Sequence, residues 1–176
     1  LYDEDRWPSG AAGGFVTADK MFRQKYLEMT CLDRSDSYPD EKSAAENGGC
    51  LFVAAFSVEK DKDGCMTSYR RIGREESAED KRYFFIRVAP GNEPRYNYQS
   101  YTDTLNKDAM DEFIKITHEA YYKRFSNEFG KTMPAIFTDE PQTIRTLSLD
   151  SGFSKKRIWH GLLTLPKALR KNTGTI

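Results

Sequence analysis

The order of apolar runs predicts an α/β chain, with parallel strands covered by helices. Strand-like runs lie at residues 1–4, 82–89 and 135–139, and amphipathic stretches separate them. The sequence strand, helix, hairpin, strand, helix, strand favours parallel pairing through right-handed crossovers. The most informative run is Pro134-Ala-Ile-Phe-Thr-Asp-Glu-Pro141. Ala135, Ile136 and Phe137 suit a buried strand, and Asp139 and Glu140 fall at its C-terminal end. Pro141 stops the pairing because it has no N–H to give. In barrels of alternating strands and helices, that end of a strand faces the active site.

The first element, residues 1–4, reads as a strand end whose beginning lies upstream. Residues 8–14, Pro-Ser-Gly-Ala-Ala-Gly-Gly, form a glycine-rich loop. It has neither the Gly-Lys-Ser/Thr ending of a phosphate loop nor dinucleotide-site spacing. Thr17 is placed to cap a helix through about Leu32, with Phe22, Tyr26 and Met29 on one face. Residues 33–49, rich in Ser, Asp, Asn and Gly, read as a surface loop. Residues 51–58 and 65–72 form a hairpin around Asp61-Lys-Asp-Gly64, and 82–89 is the next strand. Asn106 caps a long helix to Phe129, ended by Gly130. Met110, Phe113, Ile114, Thr117, Tyr121 and Phe125 recur on it at helical spacing. Residues 155–171 suggest a helix interrupted by Pro166.

Three segments carry a family resemblance. The chain opens Leu1-Tyr-Asp-Glu-Asp-Arg-Trp-Pro-Ser-Gly-Ala-Ala-Gly-Gly14. Residues 101–107 read Tyr-Thr-Asp-Thr-Leu-Asn-Lys, and Phe137-Thr-Asp-Glu-Pro141 follows the long helix. In order and spacing these resemble glycoside hydrolases related to the family 106 α-L-rhamnosidases, over residues 1–141. The resemblance implies a partial (β/α)8, or TIM, barrel. Residues 1–4 would end its second strand, 82–89 form the third and 135–139 the fourth. The hairpin at about 50–73 would be an insertion, and 142–176 a divergent, partly helical C-terminal segment. A whole barrel takes about 250 residues, so this chain would hold at most about half of one and hydrolyse little by itself.

Composition sets further bounds. Lys plus Arg and Asp plus Glu are 27 each, so the net charge is zero. That gives no electrostatic case for a nucleic-acid or membrane-surface partner. Aromatic residues make up 13% of the chain, which argues for a folded chain and suits stacking on sugar C–H faces. The odd set Cys31, Cys50 and Cys65 contains no Cys-x-x-Cys pair, and free thiols are expected. His118 and His160 have no companions at ligand spacing, so no metal or other cofactor is called for.

The expected chemistry is glycosidic cleavage by carboxylates, with a carbohydrate substrate as partner. Glu140 is the candidate proton donor. Asp139 either raises the pKa of Glu140 by like-charge repulsion, keeping it protonated, or lies behind the site as a structural partner. Asp3 and Glu4 end another strand and suit hydrogen bonds to sugar hydroxyls, and Trp7 offers a stacking face. Against this, Arg6 neutralises the same acids in a solvated loop. Tyr101 and Asp103 precede the long helix and are read as substrate-binding, with capping as the competing role for Asp103. The alternative function is a non-catalytic carbohydrate-binding or structural fragment of a larger protein.

Overall fold

The computed structural model describes the backbone of residues 2–3 and 157–160, together with residues 10–138 and 141. The chain divides into two compact units, Leu1–Gln24 with Ala89–Thr143, and Lys25–Val88 with Ile144–Ile176.

The second unit is a mixed sheet. Its strands are β2 (Lys25–Thr30), β3 (Ser37–Tyr38), β4 (Cys50–Lys60), β5 (Met66–Ile72), β6 (Lys81–Val88) and β8 (Arg157–His160), with helix α1 at Glu41–Asn47. Their order is β3-β4-β6-β2-β8, with β5 also on β4. All its strand pairs are antiparallel except β3–β4. The β4–β5 turn forms as its sequence demands. Asp61 Oδ1 accepts the N–H groups of Asp63 and Cys65, both at 2.9 Å, and Gly64 takes φ +81. One strand of this hairpin also pairs along β6, so it belongs to the main sheet and is not an insertion outside it.

β2 replaces the expected helix from Thr17 to Leu32. Phe22, Tyr26 and Met29 do sit at helical spacing, but Lys25–Thr30 pairs along both edges, with β6 on one side and β8 on the other. The strand puts Leu27 on one face and Glu28 on the other, and both are buried. A charged residue survives there because two arginines meet it, a long-range fact no local pattern reveals.

In the first unit, β1 (Tyr2–Asp3) and β7 (Phe137–Thr138) form a two-stranded parallel sheet. Helix α2 (Lys107–Ile116) starts at Asn106, whose side chain accepts N–H bonds from Asp108 and Ala109. The long helix is broken. Thr117 is a distorted right-handed turn at φ −99, ψ −73, its N–H still donating to the Phe113 carbonyl at 2.9 Å, and α3 (His118–Phe125) follows. α2 packs on the loop after the glycines, where Ala12, Val16, Ala109 and Phe113 form a buried cluster.

These pairings correct the α/β fold with a partial TIM barrel. Residues 82–89 are no third parallel strand beside β1 and β7: β6 lies in the other sheet, antiparallel to both neighbours. The long strand β4 accounts for this: Ala55 pairs with Ile72 of β5 on one side and with Tyr83 of β6 on the other, which commits β6 to this sheet.

Candidate functional site

β1 and β7 are aligned with Tyr2 beside Phe137 and Asp3 beside Thr138. Being parallel and in register, both strands run out at the same end of the sheet. In sequence, β1 continues as Glu4-Asp-Arg-Trp7 and β7 as Asp139-Glu140. Glu4, Trp7, Asp139 and Glu140 lie outside the described residues, and only the backbone of Asp3 is placed. β7 is shorter and more open than expected, with Phe137 61% exposed.

The glycine-rich loop is a packed floor. Gly10, Gly13 and Gly14 all have positive φ. A Cβ on Gly14 would lie 2.4 Å from the Tyr96 carbonyl oxygen, so only glycine allows this approach. Thr102 Oγ1 donates to the Gly10 carbonyl at 2.6 Å, and Asn97 Nδ2 donates to that of Gly13 at 3.1 Å. Thr17, expected as a helix cap, is buried and donates to the Ser100 carbonyl at 2.8 Å. Arg23 ties in the far side, through Gln99 Oε1 at 2.6 Å and the Thr17 carbonyl at 3.1 Å.

Tyr101 and Asp103 sit within this packing, only 4% and 3% exposed. The Tyr101 ring packs against Tyr96 with centroids 5.6 Å apart. Asp103 Oδ1 accepts the Leu105 N–H at 3.3 Å, and its carbonyl accepts the Asn106 N–H at 2.9 Å. Asn106 is therefore the helix cap, and Asp103 shapes the turn before it.

The second unit holds a charged network that sequence reading missed. Glu28, with no exposed side-chain surface, pairs with Arg34 and with Arg87 at 3.1 Å. Arg87 also reaches Asp36 at 3.1 Å. Arg74 pairs with Asp33 at 2.7 Å while lying over the Phe52 ring at 5.0 Å. The hydrogen bond from Arg74 holds Asp33 below the usual carboxylate range. Burial raises Asp36, but the Arg87 hydrogen bond and nearby positive charges more than reverse it. Cys50 lies beneath, its Sγ 3.7 Å from Asp36 Oδ1, and burial with the Asp36 charge pushes its thiol up to about 11. A hollow of about 450 Å³ beside the network is lined by Glu28, Thr30, Arg34 and Asp36, among others. The pairing arginines commit these acids to structure rather than proton transfer. The sequence signal was faint: Arg34 and Asp36 stand in a stretch that reads as a solvated loop.

His118 starts α3 with its ring edge against Phe113, centroids 5.3 Å apart. His160 lies in β8, in register with Tyr26. Among the described residues no group of His, Cys, Asp and Glu could hold a metal ion. None of the described helices is long and apolar enough to cross a membrane.

No protein-family model, curated protein or solved structure matches the chain. With the mixed, mostly antiparallel sheet, this overturns the resemblance to family 106 α-L-rhamnosidases and the (β/α)8 barrel drawn from it.

Proposed function

We propose that the chain is a glycoside hydrolase, or carries part of one, that cleaves by carboxylate general acid catalysis. The supporting observation is the parallel, in-register pairing of β1 with β7. Neighbouring strands lie about 4.8 Å apart, and Asp3 is aligned with Thr138, the residue that precedes Asp139-Glu140 in sequence. Two-carboxylate hydrolysis needs carboxyl groups about 5 Å apart with retention, or about 6.5–9.5 Å apart with inversion.

Glu140 is assigned the proton donor. It protonates the glycosidic oxygen as the bond from that oxygen to the anomeric carbon breaks. A carboxylate from the Asp3-Glu4 segment faces the positive charge that develops and takes a proton from the attacking water. The water's hydroxyl joins the anomeric carbon, and the net change is addition of one water across the bond. Asp139 supports Glu140, Trp7 offers a ring to the sugar, and Tyr101 and Asp103 brace the floor from within.

The test is release of reducing sugar from a panel of alkyl glycosides by the full natural protein. Glu140→Gln should lower the rate ~10²–10⁴-fold, the usual worth of general acid catalysis. Equal rates in both proteins overturn the assignment. A second reading, carbohydrate binding without cleavage, draws on the exposed rings of Phe137 and Tyr98, 61% and 69% accessible. Saturable binding with no release by wild type favours it.

A further inference from the structure

Resting on the carbohydrate reading, we propose that Tyr98 is a stacking platform for the C–H face of a pyranose ring. Two consecutive non-glycine residues in its loop are left-handed: Asn97 at φ +55 and Tyr98 at φ +59. Asparagine tolerates that region, but a bulky tyrosine there is an outlier. The Tyr98 side chain is nonetheless 69% exposed, so no core packing explains the conformation.

The loop is fixed rather than loose. The N–H groups of Tyr98 and Gln99 donate to the carbonyls of Glu93 and Tyr96, both at 3.0 Å. The Glu93 N–H donates to the Gln99 carbonyl at 3.1 Å, closing the loop at its base. Asn97 is anchored on the glycine floor through the Gly13 carbonyl, and Gln99 is held by Arg23. Strain held by such over-determined surroundings concentrates at ligand sites. What this strain achieves is an aromatic ring held toward solvent. Glu93 and Arg95 in the same loop are exposed, with Glu93 Oε1 accepting the Arg95 N–H at 3.3 Å.

The experiment is an NMR titration of the full chain with cellotriose, xylotriose and the methyl pyranosides of glucose, galactose and mannose. At least one probe should shift the Tyr98 ring resonances. Tyr98→Ala should weaken its binding about tenfold, the scale of one lost aromatic contact, and Tyr98→Trp should restore it. Tyr98→Gly should lose binding equally while raising the melting temperature, because glycine relieves the left-handed strain. The titration is repeated on Glu140→Gln, where binding is read apart from turnover. Failure of the Glu140 assignment and failure of the platform are then separate outcomes. No shift with any probe, or equal affinity in wild type and Tyr98→Ala, overturns the proposal. A Tyr98→Gly protein that binds like wild type does the same.

Discussion

Replacing Gly14 by alanine tests the packed glycine floor. Gly14 has φ +86, and its added Cβ would lie 2.4 Å from the Tyr96 carbonyl oxygen and 2.9 Å from Gln99 Cγ. A left-handed L-residue costs roughly 1–2 kcal/mol. Forcing a methyl against packed neighbours costs a further 1–3 kcal/mol or so. The Gln99 side chain can swing away, but the Tyr96 carbonyl is backbone, so the clash falls toward the upper end. The expected loss is about 3–5 kcal/mol, a large part of the roughly 5–15 kcal/mol that holds a domain. Gly130 is the control in the same unit: its φ is +76 and a Cβ there meets nothing within 4 Å. Gly130→Ala should cost about 1 kcal/mol, since the conformational cost is partly offset by the stiffer unfolded chain. Urea titrations followed by near-ultraviolet circular dichroism give both values. Equal losses at the two glycines would refute the close approach.

Glu28→Ala should destabilise the second unit by about 3 kcal/mol in urea. That is the low end for a broken buried pair, because Arg34 and Arg87 keep 29% and 17% side-chain exposure and can turn to water. A loss below about 1 kcal/mol would deny Glu28 its structural role. Asp33 is held low by Arg74, so its folded value lies below its unfolded value. Its stabilising share is therefore present above the unfolded value of about 3.9 and lost as pH falls through the folded one. Arg74→Met should flatten the drop in urea midpoint between pH 5 and pH 2, each about a pH unit or more outside that value. An unchanged drop would remove the pair from the acid response. Thiol labelling should proceed at exposed Cys65 before Cys31, with buried Cys50, raised to about 11, last. Labelling of Cys50 at the rate of Cys65 would contradict its burial.

Local signals read well where local physics decides. Asp61-Lys-Asp-Gly64 announces its turn because the Asp61 carboxylate and the left-handed glycine act within five residues. Asn106 announces its helix for the same reason. The β2 segment misleads because Tyr26 and Met29 fit a helical period, and partners distant in sequence override it. Its neighbours β6 and β8 lie more than 50 residues away in sequence. Tyr101 and Asp103 were legible as preceding a helix start but not as buried, since Tyr101 packs with Ala11 and Tyr96 and the Asp103 N–H donates to the Phe22 carbonyl, all distant in sequence or outside the local pattern. The parallel pairing of Tyr2–Asp3 with Phe137–Thr138 falls within two runs that read as strands, though over only two residues each. The mixed sheet was not legible, because its register rests on pairings between strands distant in sequence, such as β2 with β6.

The carbohydrate reading stands or falls most directly on the pH dependence of kcat/KM for an alkyl glycoside. A general acid must be protonated to act, so the rate should fall as pH rises through the acidity constant of the donor. In wild type that alkaline limb should be present. In Glu140→Gln it should vanish together with ~10²–10⁴-fold of the rate, leaving only the acid limb set by the second carboxylate. A Glu140→Gln protein that keeps both the limb and the rate contradicts the assignment of Glu140 as the acid.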